Sequence, residues 1–91
     1  MQQHPTYRRH RDLPQLLPLW PHEVDPSSLA DHARLLARMR RALRLERRRG
    51  IAGHWAYDLA RHAALLRAYR AETADYLRRA GAAGRNVVAS D

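Results

Sequence analysis

Apolar residues recur at steps of three and four along two long stretches of the chain, which is the spacing of one face of an α-helix. The positions that share this spacing are Leu29, His32, Leu36, Met39 and Leu43 in the first stretch, and Trp55, Leu59, His62, Leu66, Tyr69, Thr73 and Tyr76 in the second. Two glycines, Gly50 and Gly53, lie between the stretches. The pattern predicts a long antiparallel helical hairpin.

Local signals set the expected limits of the two helices. Asp25, Pro26 and Ser28 favour a helix start, and Gly50 favours an end close to Arg49. We expect the second helix to run from about residue 53 to residue 80, with a glycine at 81 as its stop. A turn centred near residue 51 pairs Leu43 with Leu59, Leu36 with Leu66, and His32 with Tyr69.

The segment before the hairpin is too apolar for a free linker. Its large apolar side chains are Leu13, Leu16, Leu17 and Trp20, interleaved with prolines. We expect this Pro/Leu/Trp segment to pack across the hairpin as a buttress. The alternative is that the Leu-x-x-Leu-Leu pattern at 13–17 docks as a short helix into a groove on another protein.

These elements predict one small all-α domain. We expect a flexible basic arm at 1–11, a hairpin domain with its buttress at 12–80, and a flexible tail at 81–91. If two chains associate, their hairpins would form a four-helix bundle.

Charge and composition narrow the class further. The chain has 17 basic residues against 9 acidic ones, for a net charge of +8, and it has no cysteine. All the basic residues are arginine, which a GC-rich genome favours, but codon bias does not explain the net charge. We find no apolar run long enough to span a membrane and no secretory signal at the amino terminus, so the expected location is cytoplasmic.

An arginine stripe follows the outward side of the first predicted helix. Its members are Arg34, Arg38, Arg41, Arg44, Arg48 and Arg49. Guanidinium groups pair well with carboxylates and phosphates, so the stripe favours an acidic protein partner or, as an alternative, non-specific binding of nucleic acid. A third interpretation is a solvated face that only maintains solubility.

The second predicted helix carries small residues beside its seam. The predicted packing face consists of Ala60, Ala64, Ala68 and Ala71. Two helices alone cannot cover a helix that is apolar on most of its circumference, so we expect the buttress segment, a second copy of the chain or another protein to lie there. Alanine is also simply a good helix former.

Catalytic and metal-binding patterns are weak. His54, Asp58 and His62 recur every four residues, but two turns separate the outer pair and a zinc site needs three or four converging ligands. The sequence shows no nucleophile arrangement and no phosphate-binding loop. We therefore expect no metal, no cofactor and no enzymatic activity, and a small regulatory or accessory binding protein that acts through protein contacts, with homodimerisation as one form of them.

Overall fold

The computed structural model of the chain describes residues 6–89, with side chains up to residue 84. Its elements are helices α1 at Arg9–Leu16, α2 at Leu29–Ile51 and α3 at Leu59–Ala89, with a 3₁₀ turn at Pro21–Glu23. The helices α2 and α3 pack together as a hairpin, which confirms the predicted all-α hairpin, and α1 lies against α3. Parts of the predicted arm (1–5) and tail (90–91) lie outside the described residues.

The start of α2 is set by Ser28. Its hydroxyl accepts a hydrogen bond from the backbone N–H of Asp31 at 3.1 Å, so one of the free donors at the helix start is satisfied. The helix therefore begins at Leu29, and the earlier start at Asp25 and Pro26 that the sequence also allowed is wrong. At its other end, α2 continues through Gly50 to Ile51.

The connection between the long helices is longer than the two glycines suggest. Gly53 has a φ of +65°, a left-handed conformation that ends the first helix. Residues 54–57 then form a second turn, and a carboxylate oxygen of Asp58 accepts the N–H of Arg61 at 3.1 Å as the cap of α3. The predicted start near Gly53 is therefore wrong, and Trp55, placed by prediction in the seam, is 91% exposed.

The later start of α3 changes which residues meet across the hairpin. His32 contacts Glu72 and Tyr76 rather than Tyr69, and the hydroxyl of Tyr69 lies 3.4 Å from the guanidinium of Arg40. The predicted pairing of Leu43 with Leu59 is also wrong, because Leu59 is 71% exposed. The buried cluster consists of Leu13, Leu16, Leu17, Leu35, Leu36, Met39, Leu65 and Ala68.

The leading segment contributes to this core unevenly. Leu13 is fully buried, and Leu16 and Leu17 are buried beside it. Trp20 is 72% exposed, so it does not take the packing role that the sequence predicted for it. Pro21 follows Trp20 and favours an extended backbone there, with φ −70° and ψ 152° at Trp20.

The far end of α3 also departs from expectation. The helix passes through Gly81 and Gly84 to Ala89, so the predicted stop at Gly81 is wrong. A glycine within a helix costs only about 1 kcal/mol relative to alanine, and the alanines around these two glycines favour continuation.

Candidate functional site

A buried carboxylate on α3 ties the start of the chain to the hairpin. Only 2% of the Glu72 side chain is exposed. The Tyr7 hydroxyl donates to Oε2 at 2.6 Å, and Arg9 donates through Nε to Oε2 at 2.9 Å and through Nη2 to Oε1 at 2.7 Å. Both carboxylate oxygens are engaged, and residues 7 and 9, predicted to belong to a flexible arm, are held against α3.

His32 joins the same carboxylate from α2. Its Nε2 lies 2.8 Å from Oε1 of Glu72, and its Nδ1 lies 3.1 Å from Nη1 of Arg79. A guanidinium can only donate, so Nδ1 must accept and Nε2 must carry the proton that it donates to Glu72. The ring of Tyr76 meets the imidazole edge to face, with centroids 5.6 Å apart. The geometry therefore fits an imidazole that donates from Nε2 and accepts at Nδ1.

The hydrogen bonds around Glu72 decide its charge. Burial acts to raise the pKa of Glu72, but the bonds from Arg9, Tyr7 and His32 outweigh burial and hold that pKa below its usual value. Burial, together with the bond to Glu72, raises the pKa of the Tyr7 phenol well above its usual range. The bond to Glu72 is the main cause that raises the pKa of Arg9. At neutral pH the cluster therefore contains an ionised carboxylate, a neutral phenol and a charged guanidinium.

The donor set resembles a cation site, but an arginine fills it. His32, Glu72 and Asp75 place ligand-type atoms within 4.8 Å of one another. Nη2 of Arg9 bonds both Glu72 and, at 3.0 Å, Asp75, so the guanidinium already supplies the positive charge. Both imidazole nitrogens of His32 also have partners. The cluster holds Tyr7 and Arg9 against α3, and a metal ion could bind here only by displacing Arg9.

A second buried carboxylate anchors the other end of α1. Glu46 on α2 accepts hydrogen bonds from Arg61 at 2.9 Å and from Arg49 at 3.2 Å. Arg61 also donates to the backbone carbonyl of Leu16 at 2.5 Å, satisfying one of the free acceptors at the end of α1. Polar contacts therefore hold both ends of α1, and apolar contacts hold its middle.

The predicted arginine stripe divides into two groups. Arg34 pairs with Asp31, Arg38 pairs with Glu23 at 2.7 Å, and Arg49 pairs with Glu46. The second group is exposed and has no acidic partner among residues 6–84; its members are Arg41, Arg44 and Arg48. At 3.6 residues per turn these three lie within an arc of about 60° on the outward face of α2.

Large apolar side chains are exposed where the hairpin turns. Ile51 is 78% exposed, Trp55 is 91% exposed and Leu59 is 71% exposed. We call these three residues the hairpin end. Trp55 stacks on His54 with centroids 5.6 Å apart, which leaves its outer face open to solvent. Arg48 and Arg44 precede Ile51 on α2 by three and seven residues, which is roughly 5 and 10 Å along the helix axis, so exposed cationic groups lie near the apolar group at the end of α2.

The predicted alanine face is partly used inside the protomer. Ala68 is fully buried in the core, and Ala64 packs against that core. Ala71 is half-buried and Ala60 is exposed. A separate outward stripe of α3 is largely apolar; it comprises Leu59, Ala63, Leu66, Arg70, Ala74 and Leu77. The alanines that the sequence singled out therefore do not form one continuous free surface.

The two histidines and the aspartate that recur every four residues, His54, Asp58 and His62, have separate local contacts. Nδ1 of His54 accepts the N–H of Ala56 at 3.0 Å, and Asp58 caps α3. Nδ1 of His62 lies 2.9 Å from the Tyr57 hydroxyl. These contacts use the three side chains in different places and do not bring them together.

The Glu72 cluster was missed by sequence reasoning, although a signal was present. Leu65, Ala68 and Glu72 follow one another at steps of three and four, so an acidic residue continues an apolar stripe. A carboxylate in that position must be buried with partners. That signal predicts a buried acid, but it does not identify Tyr7, Arg9 or Arg79 as its partners.

Comparison with models of protein families, with curated protein sequences and with solved structures finds no match to this chain. Within the part of the chain that the structure describes, no helix combines the length and the apolar character needed to cross a bilayer.

Proposed function

We propose that the chain is a non-catalytic binding module of the cytoplasm that docks an acidic partner protein through the hairpin end and the adjacent arginines of α2. The observation that supports the proposal is the coincidence of two unusual features at one end of the hairpin. Ile51, Trp55 and Leu59 expose large apolar surfaces, and the exposed Arg48 and Arg44 precede Ile51 on α2 by three and seven residues without an acidic partner in residues 6–84.

The apolar residues would supply most of the affinity. Tryptophan and arginine are enriched among the interface residues that matter most, and an exposed Trp55 is costly to leave in water. Burying a large apolar side chain contributes about 1.5–3 kcal/mol. Three such residues contribute about 4.5–9 kcal/mol before the cost of association, so they favour binding to a partner that offers an apolar surface to meet them.

The arginines would select the partner and speed its approach. Elsewhere in the protomer, arginines are neutralised by nearby acids, as Arg38 is by Glu23 and Arg9 is by Glu72. Arg41, Arg44 and Arg48 on the outward face of α2 have no such acidic partner in the described residues, so this part of the face carries a positive potential. Complementary charge raises the association rate and excludes basic surfaces more than it tightens the final complex.

Non-specific nucleic-acid binding is the alternative for the same surface. The exposed ring of Trp55 next to arginines would suit base stacking. Such binding depends on phosphate neutralisation, so its affinity would fall steeply with salt and would tolerate any sequence. Acidic partner binding instead requires apolar groups on the ligand.

The experiment compares three labelled probes by fluorescence anisotropy. The probes are an amphipathic peptide of glutamate and leucine, a polyglutamate peptide of the same charge, and a random duplex DNA. The proposal expects the glutamate–leucine peptide to bind at least about tenfold more tightly than polyglutamate, because only that peptide covers the hairpin end. Equal binding of the two peptides, or tighter binding of DNA with a steep salt dependence, would contradict the proposal.

Matched variants locate the binding surface. Replacing Arg44 and Arg48 by glutamate should weaken binding of the glutamate–leucine peptide by about tenfold or more. Replacing the exposed Arg67 and Arg70 of α3 by glutamate changes the net charge equally and should have much less effect. Equal losses in the two variants would show that only total charge matters.

Self-association is a second candidate, favoured by the outward stripe of α3. Leu59, Leu66 and Leu77 lie on this stripe, and only Arg70 interrupts its apolar character strongly. Two such stripes would form the four-helix bundle predicted from the sequence. Light scattering at rising concentration tests it: Leu77→Glu should abolish a dimer, whereas a monomer at all concentrations would remove this candidate.

A further inference from the structure

A cleft of about 460 Å³ lies between the segment Pro21–Pro26 and the outward side of α2. His22, Glu23 and Pro26 line one wall, and residues of α2 from Asp31 to Arg41 line the other. The volume falls in the range of small-molecule sites. At 1.5 Å per residue, the wall of α2 is roughly 15 Å long, so the cleft suits an elongated molecule.

The acidic groups of the cleft are already neutralised. Glu23 accepts the N–H of Trp20 at 2.8 Å through one oxygen and Nη1 of Arg38 at 2.7 Å through the other. Asp31 pairs with Arg34 and accepts the Ser27 hydroxyl at 3.2 Å. The charges of these two acids are matched by two arginines, so neither acid repels an anion strongly.

Arg41 is the arginine of the cleft whose charge is not matched by an acid among the described residues. Arg41 lines the cleft and is exposed, and no carboxylate of residues 6–84 pairs with it. Three apolar residues also line the cleft: Pro26 and Leu35, which are buried, and Ala37, which is half-buried. A free guanidinium together with apolar lining residues suits a ligand that has an anionic group attached to an apolar body.

We propose that this cleft binds a small organic anion, a carboxylate or phosphate group attached to an apolar chain or ring. Arg41 would hold the anionic head through paired hydrogen bonds, and Pro26, Leu35 and Ala37 would contact the apolar body. The proposal does not depend on a protein partner, because it uses Arg41 and the cleft rather than the hairpin end.

Amide chemical shifts of the isotopically labelled protein test the proposal with three probes: octanoate, octyl phosphate and octanol. The expected result is saturable shifts around Glu23 and Ala37 with at least one of the two anions. Octanol, which has the same chain without charge, should bind about tenfold more weakly or worse. Whichever anion binds more tightly identifies the head group.

Two variants assign the roles. Arg41→Gln should weaken anion binding by about tenfold, whereas Arg47→Gln, exposed on the same helix and outside the cleft, should not change it. Ala37→Leu should fill the apolar part of the cleft and abolish binding, while the circular dichroism of each variant stays that of the parent. Equal binding of octanol, unchanged binding to Arg41→Gln, shifts confined to the hairpin end, or no saturable shift would each overturn the proposal.

Discussion

Replacing Glu72 by alanine should be one of the most damaging changes that the chain can undergo. The variant removes the acceptor for Tyr7, for both donating groups of Arg9 and for Nε2 of His32. Breaking a buried ion pair from one side costs about 3–5 kcal/mol. Arg9 keeps Asp75 as a partner, but the donors of Tyr7 and His32 lose the acceptor that they share. A domain of 91 residues has roughly 5–14 kcal/mol of total stability, so the loss is a large fraction.

Urea unfolding followed by far-ultraviolet circular dichroism measures this loss directly, and each kcal/mol should lower Tm by about 4–8 °C. Asp75→Ala is the matched control: Asp75 lies almost one turn further along α3, also bonds Arg9, and has a side chain that is 34% exposed. It should cost less than about 1 kcal/mol. In an Arg9→Ala background, Glu72→Ala should cost distinctly less than in the parent chain, because Arg9 and Glu72 are coupled. A loss below about 1 kcal/mol for Glu72→Ala alone would refute the anchoring role of this cluster.

Three further outcomes follow from the same structure. Stability should fall as pH drops from about 5, because the pKa of Glu72 is lower in the folded than in the unfolded chain. It should also fall above about pH 10, because the pKa of Tyr7 is higher in the folded chain. A urea midpoint that stays constant across both pH ranges would contradict these two predictions. Gly53→Ala should destabilise the fold by about 1–2 kcal/mol because φ at Gly53 is +65°. Gly84→Ala, where an added methyl group meets open space within α3, should stabilise the fold by about 0.5–1 kcal/mol. Equal urea midpoints for the two variants would contradict these opposite effects. Leu13→Ala should cost about 2–5 kcal/mol, and a loss under about 1 kcal/mol would show that α1 is not part of the core.

The hairpin itself was predictable because its signal is repeated over many residues. Leu36 and Met39 on α2 keep the three-and-four spacing through every turn, and their burial follows from that spacing. Long periodic patterns tolerate an error at any single position. The two long helices and their packing as a hairpin were therefore predicted correctly.

The register was not predictable, because it depends on a few residues in the turn. The sequence placed the start of the second helix at Gly53, but Asp58 provides a better cap, with its side chain accepting a backbone N–H. Competing caps differ by about 1 kcal/mol or less, which a pattern cannot resolve. The shift exposed Trp55 and Leu59, and these residues now form part of the proposed binding surface.

The anchoring of the amino-terminal residues was missed for a different reason. Flexibility was predicted from the scarcity of apolar groups near Arg9, but the contacts that hold these residues are polar and come from residues more than sixty positions away. Nothing in a local window indicates that Tyr7 and Arg9 converge on Glu72. Long-range polar pairing requires the three-dimensional fold.

The most direct test of the central claim is the fluorescence of Trp55 in a Trp20→Phe variant, where Trp55 is the only tryptophan. The free protein should show a solvent-exposed emission, and saturation with the glutamate–leucine peptide should cause a clear blue shift, because the hairpin end becomes buried. Polyglutamate should leave the emission unchanged. If saturating glutamate–leucine peptide leaves Trp55 in a solvent-exposed environment, the hairpin end is not the surface that meets an acidic partner.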